Sequence, residues 1–390
     1  MKTILDFDLK NKTVILRADL NVTIKDTIII DDTRILASLK TINYILESGA
    51  KLVILSHLGK VKSLEDKDKY SLLPVYERLE ELLPGKIKFV PFTRDSSIKD
   101  EIDALEYGKA ILLENTRFED LDGKKESSCD EELSKYWASL GDIFINDAFG
   151  SIHRAHASNC GISKYIPSGI GFLIMKEIEE LSKLDNPKKP FALIMGGAKV
   201  SDKIKVISSL INKVDYLFIG GAMANTFLKA KGYDIGFSKY EEEYIDYCKD
   251  LLSKYENKIV LPKDFYGSYE ISDDTKRIYF DILNVPNNII ALDIGPETVK
   301  LFKEKLKGCN TLFWNGPLGA YEYENYKEGT TQVLEYVSNN IETTILGGGD
   351  IVGCAKNFGY EDKLTYLSTG GGASLSYLVD KNMPGLINIK

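Results

Sequence analysis

The chain has 390 residues, 44% hydrophobic and 28% charged, with a net charge of −8 at pH 7. That length suggests two domains or three, and the composition is that of an ordinary soluble protein. The negative balance argues against nucleic acid or an anionic membrane as the main partner, so any anion site must come from local placement of basic residues.

In chain order, short apolar runs alternate with helical patterns. Residues 14–16 form the first run. Residues 32–48 follow, with apolar residues recurring at three- and four-residue steps as on a helix face. Further runs lie at 52–55, 111–113 and 143–145. Ile166-Pro167-Ser168-Gly169 breaks the chain, a helical segment covers 172–184, and Asp185-Asn186-Pro187-Lys188-Lys189-Pro190 reads as a linker. The second half repeats the scheme with runs at 191–195, 216–219, 311–314 and 343–346. Glu241-Glu242-Glu243 reads as a solvated helix face.

Apolar runs of four to eight residues suit buried parallel strands, and their alternation with helices implies right-handed crossovers. The expected fold is α/β, with two Rossmann-like three-layer domains and parallel sheets, joined by an interdomain helix and hinge. Residues 1–166 form the first domain, 167–186 the helix and linker, and 187–372 the second.

Five scattered cysteines (Cys129, Cys160, Cys248, Cys309 and Cys354) include no CxxC. They fit a reducing compartment with structural thiols, not a disulfide frame or zinc site. The opening Met1-Lys2-Thr3-Ile4-Leu5-Asp6 lacks the core of a signal peptide, and no apolar run approaches the roughly 18 residues of a spanning helix. A cytoplasmic location is expected.

Basic residues gather at strand ends in the first half. Arginine is rare, seven against 43 lysines, and six of the seven precede residue 155. Arg17 ends the first strand, Arg34 opens the first long helix, Arg117 follows a strand, and Arg154 lies beyond another. His57 directly follows a strand, while His153 and His156 flank Arg154. Ligands of open α/β sheets bind outside the carboxyl ends of the strands, where the planar guanidinium grips carboxylate or phosphate with two bonds. Any one of these residues could be an ordinary surface cation; together they mark an anion-binding mouth. Arg78 and Arg94, in polar contexts, read as surface residues.

The second half places glycine runs at strand ends: Gly196-Gly197-Ala198-Lys199, Gly220-Gly221, Gly347-Gly348-Gly349-Asp350 and Gly370-Gly371-Gly372. Glycine lets the backbone approach a ligand, and a following helix presents free N–H groups to an anion. GxxxxGK[ST] and GxGxxG are both absent. Four such runs suggest a nucleotide site, with Asp350 either holding Mg²⁺ beside the phosphates or serving as a plain helix N-cap. An anion-binding domain and a nucleotide-binding domain imply a kinase whose lobes close to exclude water. No general base stands out, which fits a carboxylate acceptor already ionised at pH 7.

The chain resembles the phosphoglycerate kinase family from end to end. The resemblance rests on Arg17-Ala18-Asp19-Leu20-Asn21-Val22, Asp31-Asp32-Thr33-Arg34, Ser56-His57-Leu58-Gly59-Lys60 and Leu113-Glu114-Asn115-Thr116-Arg117-Phe118. It continues in Asn146-Asp147-Ala148-Phe149-Gly150-Ser151-Ile152-His153-Arg154-Ala155-His156, Gly196-Gly197-Ala198-Lys199-Val200-Ser201-Asp202-Lys203, Trp314-Asn315-Gly316-Pro317 and Gly347-Gly348-Gly349-Asp350. The resemblance implies reversible phosphoryl transfer between 1,3-bisphosphoglycerate with ADP and 3-phosphoglycerate with ATP, in glycolysis, with Mg²⁺. By match, Asp19, Asn21, Arg34, His57, Lys60, Arg117 and Arg154 would hold the phosphoglycerate. Arg34 and Lys199 would act on the transferring group. Lys199, Lys203, Asn315, Glu322, Gly347, Gly348, Gly349 and Asp350 would hold the nucleotide, with Asp350 toward the metal. It further implies a monomer whose residues 373–390 return to the first domain.

Five positions depart from the family pattern. Lys60-Val61 stands where Arg-Pro is usual, which keeps a charge but loses the two-pronged grip. Ile351 replaces a Thr or Ser after Gly-Gly-Gly-Asp, removing a hydroxyl near the phosphates, so Ile351→Thr should raise activity or leave it unchanged. Ser376 and Val379 stand where glutamates are usual. A ligand-binding but weakly active relative with a regulatory role is the alternative these departures motivate; a nicotinamide dehydrogenase lacks its fingerprint.

Overall fold

The structure, a computed structural model, describes residues 1–390. The chain divides into two compact units, residues 1–179 with 380–390, and residues 180–379.

Unit 1 begins with β1 (Thr13–Arg17), a hairpin of β2 (Thr23–Lys25) and β3 (Ile28–Asp31), α1 (Thr33–Glu47) and β4 (Lys51–Leu55). The one-turn α2 (Asp66–Lys69), α3 (Leu73–Leu82), β5 (Ile87–Val90), α4 (Ser97–Ala104) and β6 (Ala110–Leu113) follow. Then come α5 (Glu131–Ala138), β7 (Ile143–Asn146), β8 (Ser168–Ile170) and α6 (Phe172–Ser182), inside which the division between units falls. Six strands pair in the order β5-β6-β4-β1-β7-β8, every pair parallel. Alternation along each strand explains the layers. Val14, Leu16, Leu52 and Ile54 pack with Ile42, Ile45 and Leu79 of α1 and α3. Ile15, Val53 and Ile111 face the other way, onto Ile98, Leu133 and Trp137 of α4 and α5. Apolar faces on both sides oblige the sheet to be covered twice.

Unit 2 runs through β9 (Phe191–Met195), α7 (Ile204–Leu210), β10 (Tyr216–Ile219), α8 (Met223–Ala230), α9 (Ile245–Tyr255) and β11 (Ile259–Val260). β12 (Asp264–Ser268), β13 (Ile278–Asp281), β14 (Ile290–Ile294), α10 (Pro296–Leu306), β15 (Thr311–Asn315) and α11 (Glu328–Asn340) come next. β16 (Thr343–Gly347), α12 (Gly349–Asn357), β17 (Tyr366–Ser368) and α13 (Gly372–Val379) complete it. Its main sheet, β11-β10-β9-β15-β16-β17, is again wholly parallel. Ala192, Ile194, Leu312 and Trp314 pack with Phe302, Val333 and Ile351 of the helices on one face, while the intervening Leu193 and Phe313 are equally buried. A second, antiparallel sheet, β13-β12-β14, has no counterpart in the sequence reading.

The expected boundaries differ at two places. Residues 168–170, read as the start of a linker, are the sixth strand of the first sheet: Ser168 pairs with Phe144, and Ile170 donates its N–H to the Lys2 carbonyl at 3.0 Å. The C-terminal return to unit 1 starts at Asp380, not 373, because α13 buries Ala373, Ser374 and Tyr377 within unit 2 and packs on α7. From there the tail docks by backbone: Gly385 donates to the Ile152 carbonyl at 2.9 Å, and the Asn146 side chain donates to the Gly385 carbonyl at 3.0 Å.

Both parallel sheets reverse their direction of winding beside a central strand. In unit 1, β4 and β7 flank β1; in unit 2, β10 and β15 flank β9. Loops leaving neighbouring strands at such a switch point diverge to opposite faces and open a crevice at the carboxyl ends.

Candidate active site

In unit 1 that crevice is lined with cations. Arg17, the last residue of β1, is fully buried, and its guanidinium is spent on the protein. Nε donates to Ser158 Oγ at 2.8 Å, Nη1 to the Ala18 carbonyl at 2.6 Å, and Nη2 to His57 Nδ1 at 3.0 Å. Because a guanidinium only donates, His57 accepts at Nδ1 and carries its proton on Nε2. The Ser158 hydroxyl in turn donates to the buried Glu126 carboxylate, whose other oxygen takes the Ser158 N–H. Burial holds the Arg17 guanidinium below its ordinary range, opposed by Glu126 and Asp19. Burial pushes the Glu126 carboxyl up, against the pull of Arg17.

Around this anchor stand the other bases. Burial, with Arg17, Arg117, His156 and Arg154 close by, drives His57 well below its ordinary value of 6.5. His156 falls to about 3 for the same reasons. Arg154 is depressed by burial and by Arg117. These mutual effects place Arg17, His57, Arg117, Arg154 and His156 in one cluster. Arg117 opens the 3-10 turn Thr116–Leu121, capped by Asn115 Oδ1 on the Arg117 N–H at 3.0 Å. One arm of its fork reaches Asp120 at 2.6 Å, while its buried Nε has no protein partner. A buried, unspent donor among cations is an anion site in waiting.

Asp19, 1% exposed, takes Arg34 Nη1 at 2.7 Å, and its Oδ2 is without a protein partner. Gly150 is required beside this pair, since a Cβ there would run into Asp19 Oδ2. Asn21 Oδ1 accepts the Gly59 N–H at 2.8 Å and so ties the loop after β1 to the loop carrying the exposed Lys60. Arg78 is engaged by Asp32 and Glu81, and Arg94 by Glu119, as surface cations would be.

In unit 2 a cavity of about 290 Å³ opens over the switch point, walled by Gly197, Gly221, Pro317, Leu318, Glu322 and Asp350. The Gly196 and Gly197 N–H groups are fixed to the carbonyls of Asn315 and Pro317, both at 2.8 Å. Gly348 begins α12 at φ 115°, and a Cβ there would meet Asn315. Asn315, 2% exposed, donates to the Gly347 carbonyl and accepts from Lys203 Nζ. Burial lowers the Lys203 ammonium, offset by Asp202 and Asp350. Lys199 is exposed.

Asp350 sits in the first turn of α12 as an exposed carboxylate on the cavity wall, while Gly348 holds the N-cap position; Asp350 is therefore not a plain cap. One carboxylate on the wall of a glycine-lined cavity suits Mg²⁺, which keeps waters and phosphate oxygens as its other ligands. No group of three or more His, Cys, Asp or Glu gathers elsewhere as a protein cage.

Two readings are corrected here. Ile351 is fully buried among Trp314, Leu346 and Cys354, so its side chain turns away from the cavity and the missing hydroxyl leaves no gap there. Ile351→Thr is accordingly expected to cost about 1–2 kcal/mol of stability by placing a hydroxyl among hydrocarbon. A lower thermal midpoint with unchanged kcat per folded molecule checks this; raised activity would refute it. Glu241 is not merely solvated, since it accepts the Ser201 N–H at 3.1 Å and the Ser201 hydroxyl at 2.6 Å, bracing the loop that carries Lys199.

Sequence reasoning assigned no role to Glu126 or Ser158 and left Arg17 as one strand-end cation among several. Glu126 lies in a polar stretch, 122–130, that reads as a loop and gives no signal of burial. The apolar cavity wall, Phe237, Ile271 and Leu292, was also missed. Phe237 is 66% and Ile271 44% exposed, and exposed apolar residues converging on a concavity are the usual mark of a ligand surface.

A basic mouth in one parallel-sheet unit and a glycine-walled cavity in another define an α/β phosphotransferase of two domains. Comparison narrows the class. Residues 4–381 match the family described as phosphoglycerate kinase. The chain is 51% identical over 391 residues to the phosphoglycerate kinase of Enterococcus faecalis, covering 100% of this chain and 98% of that protein. It is 51% identical over 387 residues to that of Staphylococcus aureus, covering 99% and 98%. Solved phosphoglycerate kinases from Coxiella burnetii and Pyrococcus horikoshii superpose with TM-scores of 0.87 each. Their identities are 37% and 32%; they cover 99% and 100% of this chain, and the chain covers 98% of each. The chain belongs to the phosphoglycerate kinase family.

Proposed function

We propose that this enzyme catalyses the family's glycolytic reaction, moving a phosphoryl group reversibly between 1,3-bisphosphoglycerate with ADP and 3-phosphoglycerate with ATP. Unit 1 takes the phosphoglycerate on Asp19, Asn21, Arg34, His57, Lys60, Arg117 and Arg154. Unit 2 takes the nucleotide on Lys199, Lys203, Asn315, Glu322 and the 347–350 turn, with the base against Phe237, Ile271 and Leu292. The observation that carries this reading is the cluster at the ends of β1, β4 and β6, where the Arg117 Nε is buried without a protein partner.

The acceptor carboxylate is ionised at pH 7 and needs no base. The chain's task is to position reactants and neutralise charge. By the family match, Arg34 and Lys199 would act on the transferring group. Asp350 would hold Mg²⁺ brought by the nucleotide, and that ion supplies neutralisation of phosphate oxygens. Asn315 acts by holding Lys203 and the Gly347 carbonyl in place. We place the enzyme in the cytoplasm as a monomer; its five cysteines are free thiols, and no helix is long and apolar enough to cross a membrane.

An enzyme-linked assay of ATP formation from ADP and 1,3-bisphosphoglycerate tests the reading, and background activity would reject it in favour of a ligand-binding relative. A second check uses His57. In ligand-free protein its ring should titrate below 6.5 by NMR, since burial and four neighbouring bases disfavour the charged form. Unfolding then takes up protons below pH 6.5, so this contribution to stability is lost as pH falls. Adding 3-phosphoglycerate should raise the pKa of His57, because an anion favours imidazolium. An unmoved His57 would remove it from the site.

A further inference from the structure

Two cysteines that the kinase reaction does not use lie against each other in unit 1. Cys129 ends the turn before α5, and Cys160 lies in the π-turn Ala157–Gly161. Their sulfurs are 3.5 Å apart, in van der Waals contact, and Lys164 Nζ stands 3.9 Å from Cys129 Sγ. Cys129 is half-buried and reachable from solvent, whereas Cys160 is 5% exposed behind it. We propose that this pair is an oxidisable dithiol: Cys129 takes oxygen from a hydroperoxide, and Cys160 resolves the product to a 129–160 disulfide.

The chemistry closes without another reagent. The Cys129 thiolate attacks the distal peroxide oxygen, the O–O bond breaks, and the alcohol or water leaves with a solvent proton. The sulfur, oxidised by two electrons, is then a sulfenic acid. The Cys160 sulfur attacks it, the S–O bond breaks, and hydroxide leaves as water with the Cys160 proton. In sum, two thiols and one hydroperoxide give one disulfide, one alcohol and one water.

Three features suit Cys129 to the attacking role. The Cys160 thiol donates toward it, Ser134 and the Lys164 ammonium favour the anion, and together they bring its thiol down to about 6. The three remaining cysteines, all in unit 2, are buried, and burial pushes them up to about 12 (Cys248), about 11 (Cys309) and about 12 (Cys354). Thiolate character and exposure set reactivity, and both single out Cys129.

The disulfide would reach the substrate clamp. Drawing the sulfurs from 3.5 Å to about 2 Å moves the turns that carry them. Glu126 precedes Cys129 by three residues and accepts its N–H at 3.2 Å; Ser158 precedes Cys160 by two. The Glu126–Ser158–Arg17–His57 chain spans these turns. Oxidation should therefore weaken phosphoglycerate binding, a consequence that rests on the function proposed above.

Peptide mapping of the full chain after treatment with equimolar hydrogen peroxide and alkylation tests the proposal. The 129–160 linkage should dominate, with Cys129 consumed about tenfold faster than Cys248, Cys309 or Cys354. Cys160→Ser should stop at a Cys129 sulfenic acid trapped by dimedone. Equal rates at all five cysteines, or oxidation without the linkage, would overturn it. The oxidised enzyme should show KM for 3-phosphoglycerate raised about threefold, reversed by dithiothreitol, with KM for ATP unchanged. A formed disulfide with unchanged KM would overturn the link to the clamp. A disulfide in a protein inactive in both states would uphold the dithiol and count against the kinase reading.

Discussion

Arg34→Ala should lower kcat by roughly 10²–10³-fold, the loss found when one preorganised donor is withdrawn from developing charge. It should also lower stability. Asp19 is 1% exposed, its Oδ2 has no protein partner, and Arg34 holds its Oδ1 at 2.7 Å. Removing the cation strips this buried carboxylate of its direct partner and leaves only the weaker pull of Arg17 and Arg154. Arg34 itself is 29% exposed, which tempers the loss to about 2 kcal/mol, below that of a fully buried pair. Arg34→Lys separates the two effects: the ammonium should restore most of the denaturation midpoint, yet without the fork kcat should stay low. A kcat loss of less than about threefold in Arg34→Ala, corrected for the folded fraction, would remove Arg34 from the transfer step.

Lys199→Ala should show the opposite division. Lys199 is exposed on the loop after β9, and the loop's shape is held by Gly197 on the Pro317 carbonyl and by Ser201 on Glu241. The thermal midpoint should therefore not move. Turnover should fall about 10²-fold, because the charge proposed to act on the transferring group matters more in the transition state than in the bound state. KM for 3-phosphoglycerate should stay within about twofold. Equal losses in kcat and in 3-phosphoglycerate affinity would show that the lysine holds the acceptor instead.

The centres of both sheets were legible because they are buried on both faces. All eight apolar runs read from the sequence lie inside strands, from β1 and β4 through β15 and β16, and the helix read over 32–48 is α1. What escaped lies at edges. β5 reads Ile-Lys-Phe-Val, and β8 is Ser-Gly-Ile. A strand with one neighbour needs fewer apolar residues and tolerates polar ones, so periodicity fades. The antiparallel β12–β14 sheet escaped because its short strands mix polar and apolar residues. The site divides similarly. Its cations and glycines announce themselves by chemistry and by their position after a strand. Glu126 and Phe237 do not, because their roles depend on which turn folds over which, and local sequence carries no trace of that.

The return of residues 380–390 to unit 1 has a consequence for biosynthesis. Residues 1–179 leave the ribosome first, yet the Ile152 carbonyl and the Asn146 amide find their partners on Gly385. Until residues 380–390 are made, the Ile152 carbonyl and the Asn146 side-chain amide lack these partners. Domains that are contiguous in sequence can mature as they emerge; this one must wait for synthesis to reach its far end, so a nascent chain halted inside the second unit would present an unfinished first one to chaperones and proteases.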